Sequence, residues 1–304
     1  MIGTRGEAPG RSPTESGGGP VGLIGIGLMG TAIAERLLRA GYRVIGWDVD
    51  PERRSALTAM GGTLAEGSAG VVASCDRVLL SLPSDQVVAH VLRSADVPLH
   101  AGQFILDTST GAPTAAAEQA ARLACRGVAY LDATISGSSQ QLRDNEAVFL
   151  VGAAAEPLED CREILECLTR TLIHCGPPGS GARMKLITNL VLGLNRAALA
   201  EGLAFAEAVG VEPSIALRVL RLSMAYSRVM DVKGQKMLDA DFAPQARLSQ
   251  HLKDVRLMLR EASEAGQSLP LSETHRRLLE QADADGWGDL DNSAVINAIR
   301  GSRP

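Results

Sequence analysis

The stretch Val21-Gly22-Leu23-Ile24-Gly25-Ile26-Gly27-Leu28-Met29-Gly30-Thr31-Ala32 decides how this chain reads. It sets the spacing Gly25-x-Gly27-x-x-Gly30 between a short apolar strand and a helical pattern that continues through Leu37 and Leu38. Each glycine has a physical task at that spacing. Gly25 lets the chain turn sharply, Gly27 keeps a side chain away from a bound pyrophosphate, and Gly30 lets the helix lie close on its strand. The free N–H groups of the helix start then face the phosphates. Ile26, Leu28 and Met29 share that turn and are expected to line the bound dinucleotide.

Working outward, the next apolar run, Tyr42-Arg43-Val44-Ile45-Gly46-Trp47, ends in Asp48, 18 residues beyond Gly30. A ribose-binding acid is expected at about 20 residues. Asp50 competes for that role, but Pro51 and Glu52-Arg53-Arg54-Ser55 follow it, the pattern of an N-cap with proline at the first helical position. Asp48 is left for the ribose hydroxyls. A carboxylate there repels a 2′-phosphate and favours NAD over NADP. Arg53 and Arg54 keep NADP open, although two arginines in a first helical turn are more often solvent-facing.

The 304 residues suffice for two domains, and 45% apolar with 21% charged content is ordinary for a globular protein. A net charge of -5 and no basic run give no electrostatic footprint for nucleic acid or an anionic membrane. Residues 1–19, rich in Gly, Pro and Ser and lacking a signal peptide's apolar core, read as a disordered tail. No later run reaches the roughly 18 apolar residues of a membrane span. Five cysteines without CxxC spacing fit reduced thiols in a cytoplasm, used as small buried hydrophobes. Neither they nor the five dispersed histidines suggest a metal site.

Short apolar runs at Val21–Ile26, Arg43–Trp47, Arg77–Leu82, Gln103–Leu106, Val128–Leu131, Val148–Val151 and Thr171–His174 alternate with helical patterns. Alternation at this pitch predicts an α/β Rossmann-type, doubly wound and largely parallel sheet. Gly176-Pro177-Pro178-Gly179-Ser180-Gly181 breaks the pattern, and about 28 proline-free residues follow from Ala182 to Val209. The expected organisation is a dinucleotide-binding domain over 20–181 and an all-helical C-terminal domain over 182–304 for substrate and oligomer contacts.

Further segments follow in a fixed order. Ser81-Leu82-Pro83-Ser84 comes after the third run, Asp107-Thr108-Ser109-Thr110 after the fourth, and Asp132-Ala133-Thr134-Ile135-Ser136-Gly137-Ser138 after the fifth. The long helix opens Gly179-Ser180-Gly181-Ala182-Arg183-Met184-Lys185-Leu186-Ile187-Thr188-Asn189, and Lys253-Asp254 and Gly288-Asp289-Leu290-Asp291-Asn292-Ser293-Ala294 follow. With the glycine turn, these resemble the β-hydroxyacid dehydrogenases, the group of 3-hydroxyisobutyrate dehydrogenase and tartronate semialdehyde reductase, related to 6-phosphogluconate dehydrogenase. The resemblance runs from about Val21 to Ala298.

It implies an NAD(P)-dependent enzyme that interconverts a small 3-hydroxy acid and its semialdehyde, assembled as a homodimer or homotetramer. Lys185 falls at the family's catalytic position and Asn189 at its orienting partner; four apart, both project from one helix face. Hydride leaves the carbinol carbon as the hydroxyl loses its proton, so a base must sit within about 3 Å of that oxygen. Ser136 and Gly137 match the loop that anchors the substrate carboxylate. Leu82, Pro83 and Thr110 match positions against the nicotinamide half of the cofactor, and Lys253 a residue closing over it.

The chain also departs from the family. Asp-Ala-Thr-Ile-Ser-Gly-Ser replaces the usual Asp-Ala-Pro-Val-Ser-Gly-Gly, so Thr134 stands for proline and Ser138 for the second glycine. Ser138 adds a hydroxyl where relatives leave space, which points to a more polar substrate than 3-hydroxyisobutyrate. Thr188 replaces an asparagine common among relatives, and Arg143, in a segment read as a loop, is a solvent-facing charge or a second anion contact. Two other functions share the fold. Imine reductases usually replace the catalytic lysine, and non-catalytic, chromatin-associated scaffolds have lost it; Lys185 and Asn189 argue against both.

Overall fold

The computed structural model describes residues 19–94 and 97–301. The tail read in the first residues therefore lies, Gly19 apart, outside the described residues. The described chain forms two compact units, divided between Met184 and Lys185; the sequence expectation put the boundary at Gly181.

The first unit is built on eight strands: β1 (Val21–Ile24), β2 (Val44–Trp47), β3 (Thr63–Leu64), β4 (Arg77–Leu80), β5 (Phe104–Asp107), β6 (Ala129–Ser136), β7 (Val148–Gly152) and β8 (Thr171–Gly176). They lie in the order β3-β2-β1-β4-β5-β6-β7-β8. Every pairing is parallel except β6 with β7. Between them run α1 (Leu28–Arg39), α2 (Pro51–Ala59), α3 (Ser68–Ser74), α4 (Asp85–Arg93), α5 (Pro113–Ala124), α6 (Ser139–Arg143) and α7 (Ala155–Leu168). Side chains alternate across each strand, so both sheet faces need cover. Leu23, Leu79, Leu106 and Leu131 pack with Ile33 and Leu37 of α1 on one face. Ile24, Val78, Leu80 and Ile105 pack with Val71 of α3 and Val88 of α4 on the other.

Three readings of the sequence change. β3 was not anticipated, because its two residues are exposed and carry no apolar run. β1 stops at Ile24 because Gly25 turns at φ +94°. β6 continues to Ser136, so Asp132 to Ser136, read as a loop, belong to a strand paired antiparallel with β7, Thr134 opposite Leu150.

The second unit is helical, with α8 (Ser180–Ala208) running into it from the first, then α9 (Pro213–Leu222), α10 (Val229–Asp239), α11 (Leu248–Glu264), α12 (Pro270–Ala282) and α13 (Val295–Arg300). Its core gathers Leu199, Leu203, Met237, Leu252, Leu279 and Ile296. The closing Asp291-Asn292-Ser293 run has a structural task. Buried Asp291 accepts from Lys233 Nζ at 2.8 and 2.9 Å and from the N–H groups of Gln245 and Ala246 at 3.0 and 3.2 Å, tying α10 to the start of α11. Burial alone would raise its carboxyl, but the Lys233 and Ser293 bonds hold it down to about 2. No helix among the described residues is long and apolar enough to cross a membrane.

The cysteines are free, and burial pushes the Cys75 thiol to about 11 and those of Cys161 and Cys167 to about 12. Cys125 is exposed, and so does not share the packing role expected of all five.

Candidate active site

The strand order reverses between β1 and β4, and in open parallel sheets ligands bind outside the carboxyl ends at such a switch point. The glycine turn leaves β1 there. A Cβ at Gly25 would collide with the Ser81 carbonyl oxygen, and one at Gly30 with the Gly25 carbonyl oxygen, so both positions require glycine for packing within the chain. Gly27 differs: a Cβ there would meet nothing within 4 Å. Gly27 is also the N-cap of α1 and provides no side-chain cap. The turn thus leaves open space and uncapped first-turn N–H groups for a pyrophosphate. Leu28 is 63% exposed and Met29 half-buried at the same turn.

Asp48 Oδ2 accepts the Ile26 N–H at 2.6 Å, and its Oδ1 accepts the Asp50 N–H at 2.9 Å. The carboxylate therefore ties the tip of β2 to the glycine turn and keeps further lone pairs for ribose hydroxyls. Asp50 caps α2, accepting the Glu52 N–H at 2.8 Å with Pro51 at the first position. Arg54 does not face solvent as expected. Its Nη1 donates to the Asp48 and Val49 carbonyl oxygens at 2.8 and 3.1 Å, and the guanidinium lies 4.6 Å over the Trp47 ring. Arg53 is exposed and pairs with Asp50 at 3.9 Å.

A buried network holds the loops that carry Leu82, Pro83 and Thr110. The Leu82 N–H donates to Ser109 Oγ at 2.9 Å, the Ser109 N–H to Asp107 Oδ1 at 2.9 Å, and the Tyr130 hydroxyl to Asp107 Oδ2 at 2.6 Å. Burial pushes the Asp107 carboxyl up, against the hydrogen bonds from Ser109 and Tyr130, and holds the Tyr130 phenol well above its usual range. These three support residues escaped sequence reasoning because the network joins separate strands.

Ser136 ends β6, and Gly137 turns at φ +146°, where a Cβ would stand 3.1 Å from the Ala147 Cβ. Ser138 is the N-cap of α6: its Oγ accepts the Gln141 N–H at 3.2 Å, and Gln141 Oε1 accepts the Ser138 N–H at 2.9 Å. This capping box gives Ser138 a local task and leaves its hydroxyl proton free to donate. Arg143 lies on α6 rather than in a loop, and it is half-buried rather than solvent-facing. Its Nε donates to Glu35 Oε2 at 2.7 Å, joining α6 to α1.

In the second unit, Lys185 and Asn189 lie one turn apart on α8. Asn189 Nδ2 donates to Asp254 Oδ2 at 3.1 Å. Burial pulls the Lys185 ammonium down to about 8, and the Asp254 carboxylate resists that fall. Burial in turn raises the Asp254 carboxyl, opposed first by Lys185 and then by the Asn189 bond. Lys253 is exposed beside it on α11. Sequence reasoning gave Asp254 no role, although a signal was present: it lies on the apolar stripe of Leu248, Leu252, Val255 and Met258, where a charged side chain needs a partner.

Both halves of the chain match known proteins. Residues 20–176 match the NAD-binding domain of 6-phosphogluconate dehydrogenase, and residues 179–299 the NAD-binding domain of NADP-dependent 3-hydroxyisobutyrate dehydrogenase. The 2-(hydroxymethyl)glutarate dehydrogenase of Eubacterium barkeri is 30% identical over 91% of this chain and 93% of its own length. The 2-hydroxy-3-oxopropionate reductase of Escherichia coli K12 is 29% identical over 92% of this chain and 96% of its own. A 3-hydroxyisobutyrate dehydrogenase structure from Salmonella typhimurium superposes with a TM-score of 0.84 at 26% identity, covering 91% of this chain and 98% of that one. With both halves of the chain matched in order, the protein belongs to the β-hydroxyacid dehydrogenase family of NAD(P)-dependent oxidoreductases.

Proposed function

We propose that this enzyme prefers NAD and interconverts a small 3-hydroxy acid and its semialdehyde, with Lys185 as the general acid and base. The observation that carries this is a lysine lowered to about 8 one helical turn from Asn189, with Asp254 opposing the shift. An ordinary lysine near 10.4 is almost fully protonated at neutral pH and a poor base. Lowered to about 8, Lys185 takes the carbinol proton during oxidation and returns it during reduction. Its ammonium form also stabilises the developing alkoxide. Asn189 and Asp254 orient the lysine and hold its charge. Bound NAD(P) supplies the hydride acceptor or donor. Ser136 and the backbone at Gly137 anchor the substrate carboxylate, and Asp48 supports the choice of NAD.

The sign of the pH dependence follows. Oxidation needs the neutral amine, so its kcat/KM rises with pH and levels above about 8, whereas reduction needs the ammonium and falls through the same value. The test is a spectrophotometric screen of 3-hydroxyisobutyrate, 2-(hydroxymethyl)glutarate and other 3-hydroxy acids, with 2-hydroxy-3-oxopropionate and other semialdehydes, using NAD(H) and NADP(H) in parallel. Turnover with opposed limbs near pH 8 supports the reading; parallel limbs in both directions contradict it. Bound cofactor without absorbance change for any compound favours the scaffold reading instead.

Self-association is part of the proposal. The second unit leaves Phe205 67%, Leu222 84% and Val209 55% exposed, apolar surface that a second copy would cover. A monomer by sedimentation velocity at micromolar concentration contradicts this.

A further inference from the structure

Side chains of β6 grip the first turn of α8. Asp132 Oδ1 accepts the Gly179 N–H at 2.8 Å and its Oδ2 accepts the Ala182 N–H at 2.7 Å. Thr134, two residues along the strand and on the same face, places its one hydroxyl proton between the Gly181 carbonyl oxygen at 3.1 Å and the more distant Leu150 carbonyl oxygen at 3.3 Å, and the shorter contact reaches α8. Both side chains are buried, 2% and 1% exposed. Each contact has a defined job. A helix start has four N–H groups without intrahelical acceptors, and a carboxylate is a strong partner for them. The Gly181 carbonyl is the acceptor that the i to i−4 ladder assigns to the backbone N–H of Lys185. Thr134 therefore addresses the same oxygen that the lysine's own backbone uses. The turn also has little slack, because Gly179 sits at φ +93° and a Cβ at Gly181 would collide with the Leu150 carbonyl oxygen.

We propose that Asp132 and Thr134 are positioning residues for Lys185, fixing the rotation and depth of the first turn of α8 and hence the point from which the lysine side chain leaves the helix. The inference rests on the acid–base reading of Lys185. It also accounts for a departure from the family pattern. Proline at position 134 has neither a hydroxyl nor an N–H, so it can make neither this contact nor a hydrogen bond from its own nitrogen to the facing strand. In this chain a threonine supplies a third fixed point beside the two from Asp132. Placement matters because a misplacement of about 1 Å in a reacting group can cost about 10²-fold in rate.

The test compares Thr134→Val, Thr134→Ser and Asp132→Asn with wild type and Lys185→Ala. It uses NADH and whichever semialdehyde of the panel gives the highest kcat/KM. Valine removes the hydroxyl while keeping the branched shape, serine restores the hydroxyl, and asparagine cannot accept two N–H bonds with the strength of a carboxylate. The expected result is a fall in kcat of about tenfold for Thr134→Val and at least as much for Asp132→Asn. NADH affinity and semialdehyde KM should stay within about twofold, and Thr134→Ser should recover most of kcat. If Thr134→Val does not fold, Asp132→Asn and Thr134→Ser carry the test. The inference is overturned if Thr134→Val keeps kcat within about twofold of wild type, if serine fails to rescue, or if NADH affinity falls in step with kcat. An active Lys185→Ala would instead overturn the acid–base reading itself and the inference with it.

Discussion

Replacing His275 with Leu should remove much of the acid sensitivity of the helical core of the second unit. His251 of α11 and His275 of α12 are 7% and 3% exposed, their rings are 5.2 Å apart, and neither Nε2 has a hydrogen-bond partner among the described residues. Arg196 of α8, 2% exposed, is the cation that acts on both, with Asp291 and Lys233 beyond it. Burial first, and then Arg196, pull the His275 imidazole down to about 4, and His251 falls well below its usual range. Below pH 6.5 the unfolded chain accepts a proton that the folded core refuses. Stability is therefore fully present above that value and drains away as pH falls towards 4. At about 1.4 kcal/mol per pH unit the limit for His275 is about 3 kcal/mol, of which about 2 kcal/mol is lost between pH 7 and pH 5.

Asp132, raised to about 6 by burial against the bonds from Ala182 and Gly179, acts with the opposite sign and gains stability as pH falls through that value. The wild-type curve alone mixes the two, so the difference between wild type and His275→Leu reads the histidine together with its smaller effect on His251. Urea unfolding followed by the buried Trp287, in a Trp47→Phe background, reads the second unit. The expected loss between pH 7 and pH 5 is smaller in His275→Leu by about 2 kcal/mol. Equal losses in both proteins would refute the reasoning.

Gly193→Ala should destabilise by about 1–3 kcal/mol, although alanine normally favours a helix by about 1 kcal/mol, because the new Cβ meets His251 Nε2 at 2.5 Å and His275 Cε1 at 2.9 Å; a raised Tm contradicts this. Asp48→Ser should shift the ratio of kcat/KM values towards NADP, since the carboxylate no longer repels a 2′-phosphate and Arg53 is available to pair with it. Asp50→Ser, which keeps a good cap, should leave the ratio alone; the reverse outcome would reassign the ribose acid. Ser138→Gly should leave α6 intact within a few tenths of a kcal/mol, so it reports on the free hydroxyl rather than on the cap. A loss of about 1–3 kcal/mol in kcat/KM for the best substrate relative to 3-hydroxyisobutyrate marks a substrate contact, and an unchanged ratio removes it.

What the sequence reveals depends on how local the physics is. The glycine turn and the cap at Asp50 were legible because each follows from spacings of a few residues, whereas spacing put Lys185 and Asn189 on one helix face and only the family resemblance gave them a role. The doubly wound sheet followed from alternation, but β3 carries no apolar signal, and Asp132 to Ser136 form a strand only because β7 pairs with them. Long-range partners were hidden for the same reason. Asp254 meets Asn189 across 65 positions, and Thr134 meets Gly181 across 47. Thr134 and Ser138 were visible as departures from a family pattern, but their hydrogen bonds to the first turn of α8 and to Gln141 required the fold.

The most direct test of the account is the turnover of Lys185→Ala with the best substrate of the screen, measured beside NADH affinity and the primary deuterium isotope effect. Loss of the acid and base should lower kcat by at least about 10²-fold while NADH binds as in wild type and the isotope effect shows hydride transfer to be rate-limiting. A variant that keeps more than about a tenth of wild-type turnover, with chemistry rate-limiting in both proteins, would contradict the assignment of Lys185.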